Sequence, residues 1–224
     1  MKKRGIFILS AAVVLAAGLL CHHMLVQERE PEFVFSYAEN QTEDYPTTLG
    51  AKEFAKLVEK RSNGRIQILV QAEGALGTES DVIAQIQYGG IDFARVSLSQ
   101  LAEYIPELNV LQMPYLYTNS DHMWKVLDGE IGDAFLAATD ESELVGLSWY
   151  DAGARNFYNS KKPITCLEDM AGMRIRVQES EVMVDMVEAL GATALPIPYA
   201  DVYSALERGT VDGAENNWPS YEAM

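Results

Sequence analysis

Three short runs with a period of two, separated by two stretches of helical spacing, constrain this chain more than any other feature of it. Residues 33–37, 65–70 and 91–96 read as strands, the last of them short. Residues 46–61 and 79–88 carry apolar side chains at helical spacing, with Pro46 able to open the first helix and Asn63-Gly64 able to stop it. A strand–helix–strand–helix–strand order argues for a mostly parallel sheet with helices packed on it. In such sheets ligands bind beyond the C-terminal ends of the strands. By that rule Glu39, Arg95 and Ser97 are candidates for lining a site. Two readings of Arg95 stay open: a ligand contact, or half of an ion pair with a neighbouring carboxylate. The loop holding Gly74 and Gly77 precedes a helix but lacks the Lys-Ser/Thr of a phosphate loop, and Glu73 and Glu79 would repel phosphate.

Farther along, residues 108–117 are apolar and interrupted by Pro114, which suggests a short extended segment in a core. Helices are expected over 120–126, capped by Ser120 or Asp121, and over 129–138. Residues 145–150 read as a strand, Asp151 to Ala154 as a hinge-like joint, and 155–159 as a further strand. A division follows into a leader (1–26), a first α/β lobe (27–151) and a second (152–224). In the second lobe a helical turn at 167–170 precedes a strand over 173–177. Helix 179–190, an extended 194–198, helix 199–208 and strand 211–215 come after it.

Within strand 173–177, Arg174 and Arg176 alternate with Met173, Ile175 and Val177. An arginine on a buried strand is expensive unless something anionic meets it, and its planar fork suits a carboxylate. The bland alternative is an edge strand whose arginines face solvent or pair with structural acids. With Arg155 and Asn216 also at predicted strand ends, the second lobe gathers guanidinium and amide groups that suit binding a carboxylate better than reacting on it.

Composition narrows the classes further. Lys and Arg total 17 against 33 Asp and Glu, a net charge of −16 that argues against nucleic acid or an anionic membrane surface as partner. An anionic small molecule remains compatible, because local arginines outweigh distant screened charge. Lys2, Lys3 and Arg4 before an apolar run to Leu20 have the layout of a secretory signal. Cleavage near Ala16 to Gly18, lipid attachment at Cys21 and an uncleaved anchor all put the remainder outside the cytoplasm. Cys166 is the one cysteine after this leader, so no internal disulfide is expected. His22 and His23 fall in the leader, and His122 alone cannot supply a metal cluster or an obvious nucleophile–base pair. No catalytic residue, metal or cofactor is expected, and the chain does not read as an enzyme.

A family resemblance adds to this reading. It rests on Asn63-Gly64-Arg65-Ile66, on Gly74 with Leu76-Gly77, on Ile91-Asp92-Phe93 and on Met113-Pro114-Tyr115. It continues through Met170, Gly172 to Val177, Gly191-Ala192, Val202 to Leu206 and Val211 to Asn216. Each is weak alone, but their order and spacing together are specific. From about Phe33 to the last residue the chain resembles the DctP-type solute-binding proteins of tripartite ATP-independent periplasmic (TRAP) transporters. The resemblance implies two α/β lobes in a periplasmic-binding-protein-like architecture, with a hinge and an interlobe ligand cleft, and a chain lacking its C-terminal part. It implies a ligand carboxylate held by Arg176, with Arg155, Asn216 and the aromatic Tyr199 around it, whereas Arg174 matches a position without ligand contact. It also implies extracytoplasmic capture of an organic acid and delivery to membrane permease subunits. Donors and acceptors at Glu39, Asn40, Arg95 and Ser97 favour a sugar acid such as a hexuronate over an aliphatic dicarboxylate. A ligand-presenting subunit of an extracytoplasmic sensor would have the same pocket, and a secreted lyase or hydrolase using paired carboxylates is a third class.

Overall fold

A computed structural model describes residues 30–223; the leader read from 1–26, Cys21 included, lies outside the described residues. The first of two sheets is parallel, in the order β2-β1-β3, and is built from β1 (Phe33–Ala38), β2 (Ile66–Gln71) and β3 (Phe93–Ala94). Helices α1 (Pro46–Arg61) and α2 (Glu79–Gln87) carry the chain between its strands. Successive β1 residues point to opposite faces. Tyr37 therefore packs with Ala51 and Phe54 of α1, and Ala38 packs with Val82 and Ile86 of α2. Pro46 sits in the first turn of α1, where a missing N–H leaves no bond unmade. Thr78 and Asp81 cap α2 reciprocally, so a carboxylate already occupies the helix start that follows Gly77.

The second sheet has the order β4-β7-β5-β6, from β4 (Asn156–Asn159), β5 (Arg174–Val177), β6 (Thr193–Pro196) and β7 (Gly213–Asn216). Here β5 pairs in parallel with β6 and β7, while β4 runs antiparallel to β7. Ile175 and Val177 of β5 join Met183 and Val187 of α6 (Glu181–Ala189) in a buried cluster. The arginines between them are left for the other face. Gly213 is required by the close β4–β7 approach, since a Cβ there would lie 2.2 Å from the Tyr158 carbonyl oxygen.

A helical block follows the first sheet in sequence: α3 (Leu98–Leu101), a 3₁₀ helix (Pro106–Gln112), α4 (Ser120–Leu127) and α5 (Glu130–Ala137), packed around Leu108, Leu111 and Leu127. The segment expected to be extended from 108 is thus helical to Gln112. Pro106 fixes a helical φ at its start, and Leu108 and Leu111, three apart, share one face of a 3₁₀ turn. The cap of α4 is Asn119, whose side chain accepts from the His122 N–H at 2.8 Å, and not Ser120 or Asp121. The strand expected at 145–150 does not form. Val145 and Leu147 are exposed, and no described strand lies alongside to pair its backbone groups. The helix expected over 199–208 is a 3₁₀ turn (Tyr199–Asp201) leading into α7 (Val202–Glu207), and α8 (Trp218–Glu222) follows β7.

Candidate functional site

The C-terminal ends of β1, β3, β5, β6 and β7 lead into one cleft of about 400 Å³. Asn40 and Gln41 follow β1, Arg95 and Ser97 follow β3, Arg176 lies in β5 and Gln178 just after it, Tyr199 follows β6, and Asn216 ends β7. Arg155 arrives by the reverse route. Because β4 is antiparallel, its first residue pairs with Asn216 at the last residue of β7, so the residue before β4 reaches the same rim.

Arg176 is the exceptional group in this cleft. It is 2% exposed, its Nε donates to the Ile197 carbonyl at 2.8 Å, and among the described residues it has no ion-pair partner within 4 Å. Burial lowers its pKa from the ordinary 12.5 to about 10, and Arg155 nearby pushes the same way, while Glu215 opposes them. A lowered folded-state pKa means the unfolded chain holds this proton more firmly. The charge therefore costs the fold on the order of 3 kcal/mol at neutral pH, and the cost fades only as pH climbs past about 10 or as an anion arrives.

The other arginines of the cleft and of β5 are occupied. Arg174, two residues back on the same face, gives Nη2 to Asp212 Oδ1 at 2.9 Å and to the Gly209 carbonyl at 2.8 Å. Arg155 is held by Glu215: Nη2 donates to Oε1 at 2.8 Å and to the backbone carbonyl at 3.0 Å, and Nε pairs with Oε2. On the opposite wall Arg95 donates Nε to Glu39 Oε2 at 3.0 Å, and Nη2 to Glu39 Oε1 and Asn40 Oδ1, with Glu79 3.6 Å from Nη1. Burial alone would lower the Arg95 pKa, but the Glu39 hydrogen bonds and charge outweigh it and leave the pKa raised. Arg95 is thus half of an ion pair, the second of the two readings, and it also lines the cleft.

Of the seven candidates from the sequence, Arg176, Arg155, Asn216, Tyr199, Arg95 and Ser97 line the cleft. Glu39 does not. It is 2% exposed and lies behind Arg95, its oxygens accepting from Thr47 Oγ1 (3.0 Å) and the Gln41 N–H (3.1 Å) as well. Ser97 gives both its N–H and its hydroxyl to Glu79 Oε1, at 2.7 and 2.9 Å. The Asn216 Oδ1 accepts from the Asn217 N–H at 2.9 Å, which leaves its amide donors turned to other use. Burial raises the pKa of the Tyr199 phenol, and the Tyr45 hydroxyl adds to this while Ser220 works against it.

Sequence reasoning missed Gln41, Tyr45, Gln178, Asn217 and Ser220. Several of these tie the walls together. The Tyr45 hydroxyl bonds Asn217 Oδ1 (3.1 Å) and Ser220 Oγ (2.9 Å), and the Ser99 hydroxyl donates to Gln178 Oε1 (3.0 Å). No local pattern announces such residues; the strand-end rule reaches Gln178 as the first residue after β5, and Gln41 only if the loop after β1 is read to its third residue.

The model of the bacterial extracellular solute-binding protein family 7, DctP, matches residues 37–224. The chain belongs to this family. A solute-binding protein of Chromohalobacter salexigens is 37% identical over 179 residues, covering 80% of this chain and 53% of the relative. The structure of a TRAP periplasmic solute-binding protein from Xanthobacter autotrophicus with bound β-D-galacturonate is 43% identical with a TM-score of 0.82, covering 84% of this chain and 63% of that one. Another, from Sulfurospirillum deleyianum with bound succinate, is 31% identical with a TM-score of 0.83, covering 86% and 62%. The chain spans about half the length of the curated relatives it matches. These relatives are solute-binding proteins of an extracellular family, with an α/β architecture like that described here.

Proposed function

We propose that this protein captures a carboxylate-bearing sugar acid, such as a hexuronate, outside the cytoplasm and delivers it to the membrane permease of a TRAP transporter. It would bind its ligand without turning it over. The observation that carries this reading is the buried charge of Arg176, which has no ion-pair partner within 4 Å among the described residues. A ligand carboxylate reaching its two Nη groups would form two parallel charge-assisted hydrogen bonds and relieve the cost of burial. Arg155, pinned by Glu215, would add positive charge beside it, and Asn216 a directed amide donor. Tyr199 would offer a ring and a hydroxyl. Arg95 and Ser97 would face the ligand from the opposite wall, with Glu39 holding Arg95 in place. Residues 27–151 and 152–224 would act as the two lobes, jointed at Asp151 to Ala154. The galacturonate in the relative from Xanthobacter supports the ligand class, and family membership supports the permease as partner.

Titration with D-glucuronate and D-galacturonate, followed by melting temperature and calorimetry, tests the reading. Saturating ligand at about a hundred times its Kd should stabilise the protein by about 2.7 kcal/mol. Arg176→Ala should weaken binding by about 2–5 kcal/mol. A folded protein that binds no carboxylic acid, or an Arg176→Ala variant with unchanged affinity, would refute it.

A further inference from the structure

The sugar-acid reading leaves open which group recognises the part of the ligand distant from the carboxylate. Gln41 has the required properties. It lines the cleft, it is 7% exposed, and its Oε1 is fully buried without a hydrogen bond to any described residue. A buried amide oxygen left unpaired is costly, and such groups in native proteins ordinarily meet a partner. Its backbone, by contrast, is well held: the N–H donates to Glu39 Oε1 at 3.1 Å and the carbonyl accepts from the Glu73 N–H at 2.8 Å. The position is fixed while the side-chain acceptor is unmatched.

The charges around Gln41 narrow what can meet that oxygen. Arg95, the cation on this wall, is paired with Glu39 and has Glu79 beside it, so the three side chains together carry a net negative charge. A second carboxylate would meet repulsion here. It also has no proton to give to Oε1. A hydroxyl has one, and its own oxygen can accept in return from Gln41 or Arg95.

Resting on the proposed function, we infer that Gln41 is the residue that selects hydroxylated acids. Oε1 has no surface open to the cleft in this structure, so the Gln41 side chain turns into the cleft to accept a hydrogen bond from a ligand hydroxyl, and the wall it shares with Arg95 and Glu79 turns away dicarboxylates. Sites built to hydrogen-bond a substrate hydroxyl discriminate strongly against analogues without it, because the protein group is then buried unpaired.

The test compares D-glucuronate with cyclohexanecarboxylate, which keeps the ring and carboxylate but has no hydroxyls, and with succinate, in the wild type, Gln41→Met and Gln41→Glu. Wild type should favour glucuronate over both. Gln41→Met, similar in shape and without an acceptor oxygen, should lose about ten- to hundredfold in glucuronate affinity and leave cyclohexanecarboxylate unchanged or tighter. Gln41→Glu keeps an acceptor, so the glucuronate-to-cyclohexanecarboxylate preference should persist even if added negative charge weakens both acids alike. Equal losses for both ring acids in Gln41→Met, or no loss for either, would overturn the role of Gln41. Wild-type binding of glucuronate that depends on Arg176 but not on Gln41 would overturn this inference alone. Wild type that binds none of the three acids would remove the proposed function along with it.

Discussion

The two walls of the cleft each bury an arginine, and they treat it in opposite ways. Arg95 is surrounded before any ligand arrives, by Glu39, Asn40 and Glu79, and its pKa is raised. Arg176, the more deeply buried of the two, is bonded through Nε to one carbonyl and has its pKa lowered to about 10. Burial acts on both guanidiniums alike, so the difference comes from the partners. The first arrangement builds a polar wall; the second leaves a buried charge that the proposed ligand carboxylate would meet. Buried charge is thus no mark of a binding site; the proposal for Arg176 rests on its lack of an ion pair within 4 Å among the described residues.

Breaking the satisfied pair should do the most damage. Glu39→Ala strips Arg95 of its closest counterion and leaves Glu79 at 3.6 Å, and should destabilise the fold by about 3 kcal/mol in denaturant unfolding. The isolated arginine should behave in the reverse sense. Arg176→Met removes a charge that costs the fold, so the ligand-free melting temperature should hold or rise while the shift produced by D-glucuronate disappears. Equal destabilisation by both substitutions would erase the distinction between the walls.

The two arginines of β5 sharpen the same comparison at smaller scale. Arg174→Ala should leave glucuronate affinity within about twofold of wild type, because its partner is Asp212 and not a ligand. The effect of Asp212 should show at low pH. The Arg174 hydrogen bonds hold its carboxyl below the ordinary 3.8. A depressed folded-state pKa contributes stability that is complete above about pH 4 and is lost as pH falls below it. Asp212→Asn should therefore flatten the acid limb of the stability profile below pH 4 and leave ligand affinity at pH 7 unchanged. An undiminished acid limb would mean that the Arg174–Asp212 pair contributes nothing.

Much of this was legible in the residues themselves. Strands 33–38 and 66–71, helices 46–61 and 79–87 and the arginine-bearing strand 174–177 follow from periodicity, proline and glycine placement. Periodicity works there because each element buries one face against a partner of its own half. It failed at 145–150, where apolar alternation is present but no neighbouring described strand completes the backbone bonding. It failed again at 106–112, where Leu108 and Leu111 satisfy a 3₁₀ turn as well as an extended run.

The site divides along the same line. Alternation along β5 is enough to put Arg174 and Arg176 on one face, opposite Ile175 and Val177, because side-chain direction in a strand is a local property. Which of the two is left without a counterion is a long-range property. It depends on Asp212, thirty-eight residues away, meeting Arg174 from the chain entering β7. In the same way Glu39 becomes a support behind Arg95, and Gln41 an unpaired amide in the cleft, only once strands from distant parts of the chain lie side by side. Local periodicity sets the direction of a side chain, but its electrostatic partner is chosen by packing, and that choice separates a structural arginine from one free to bind.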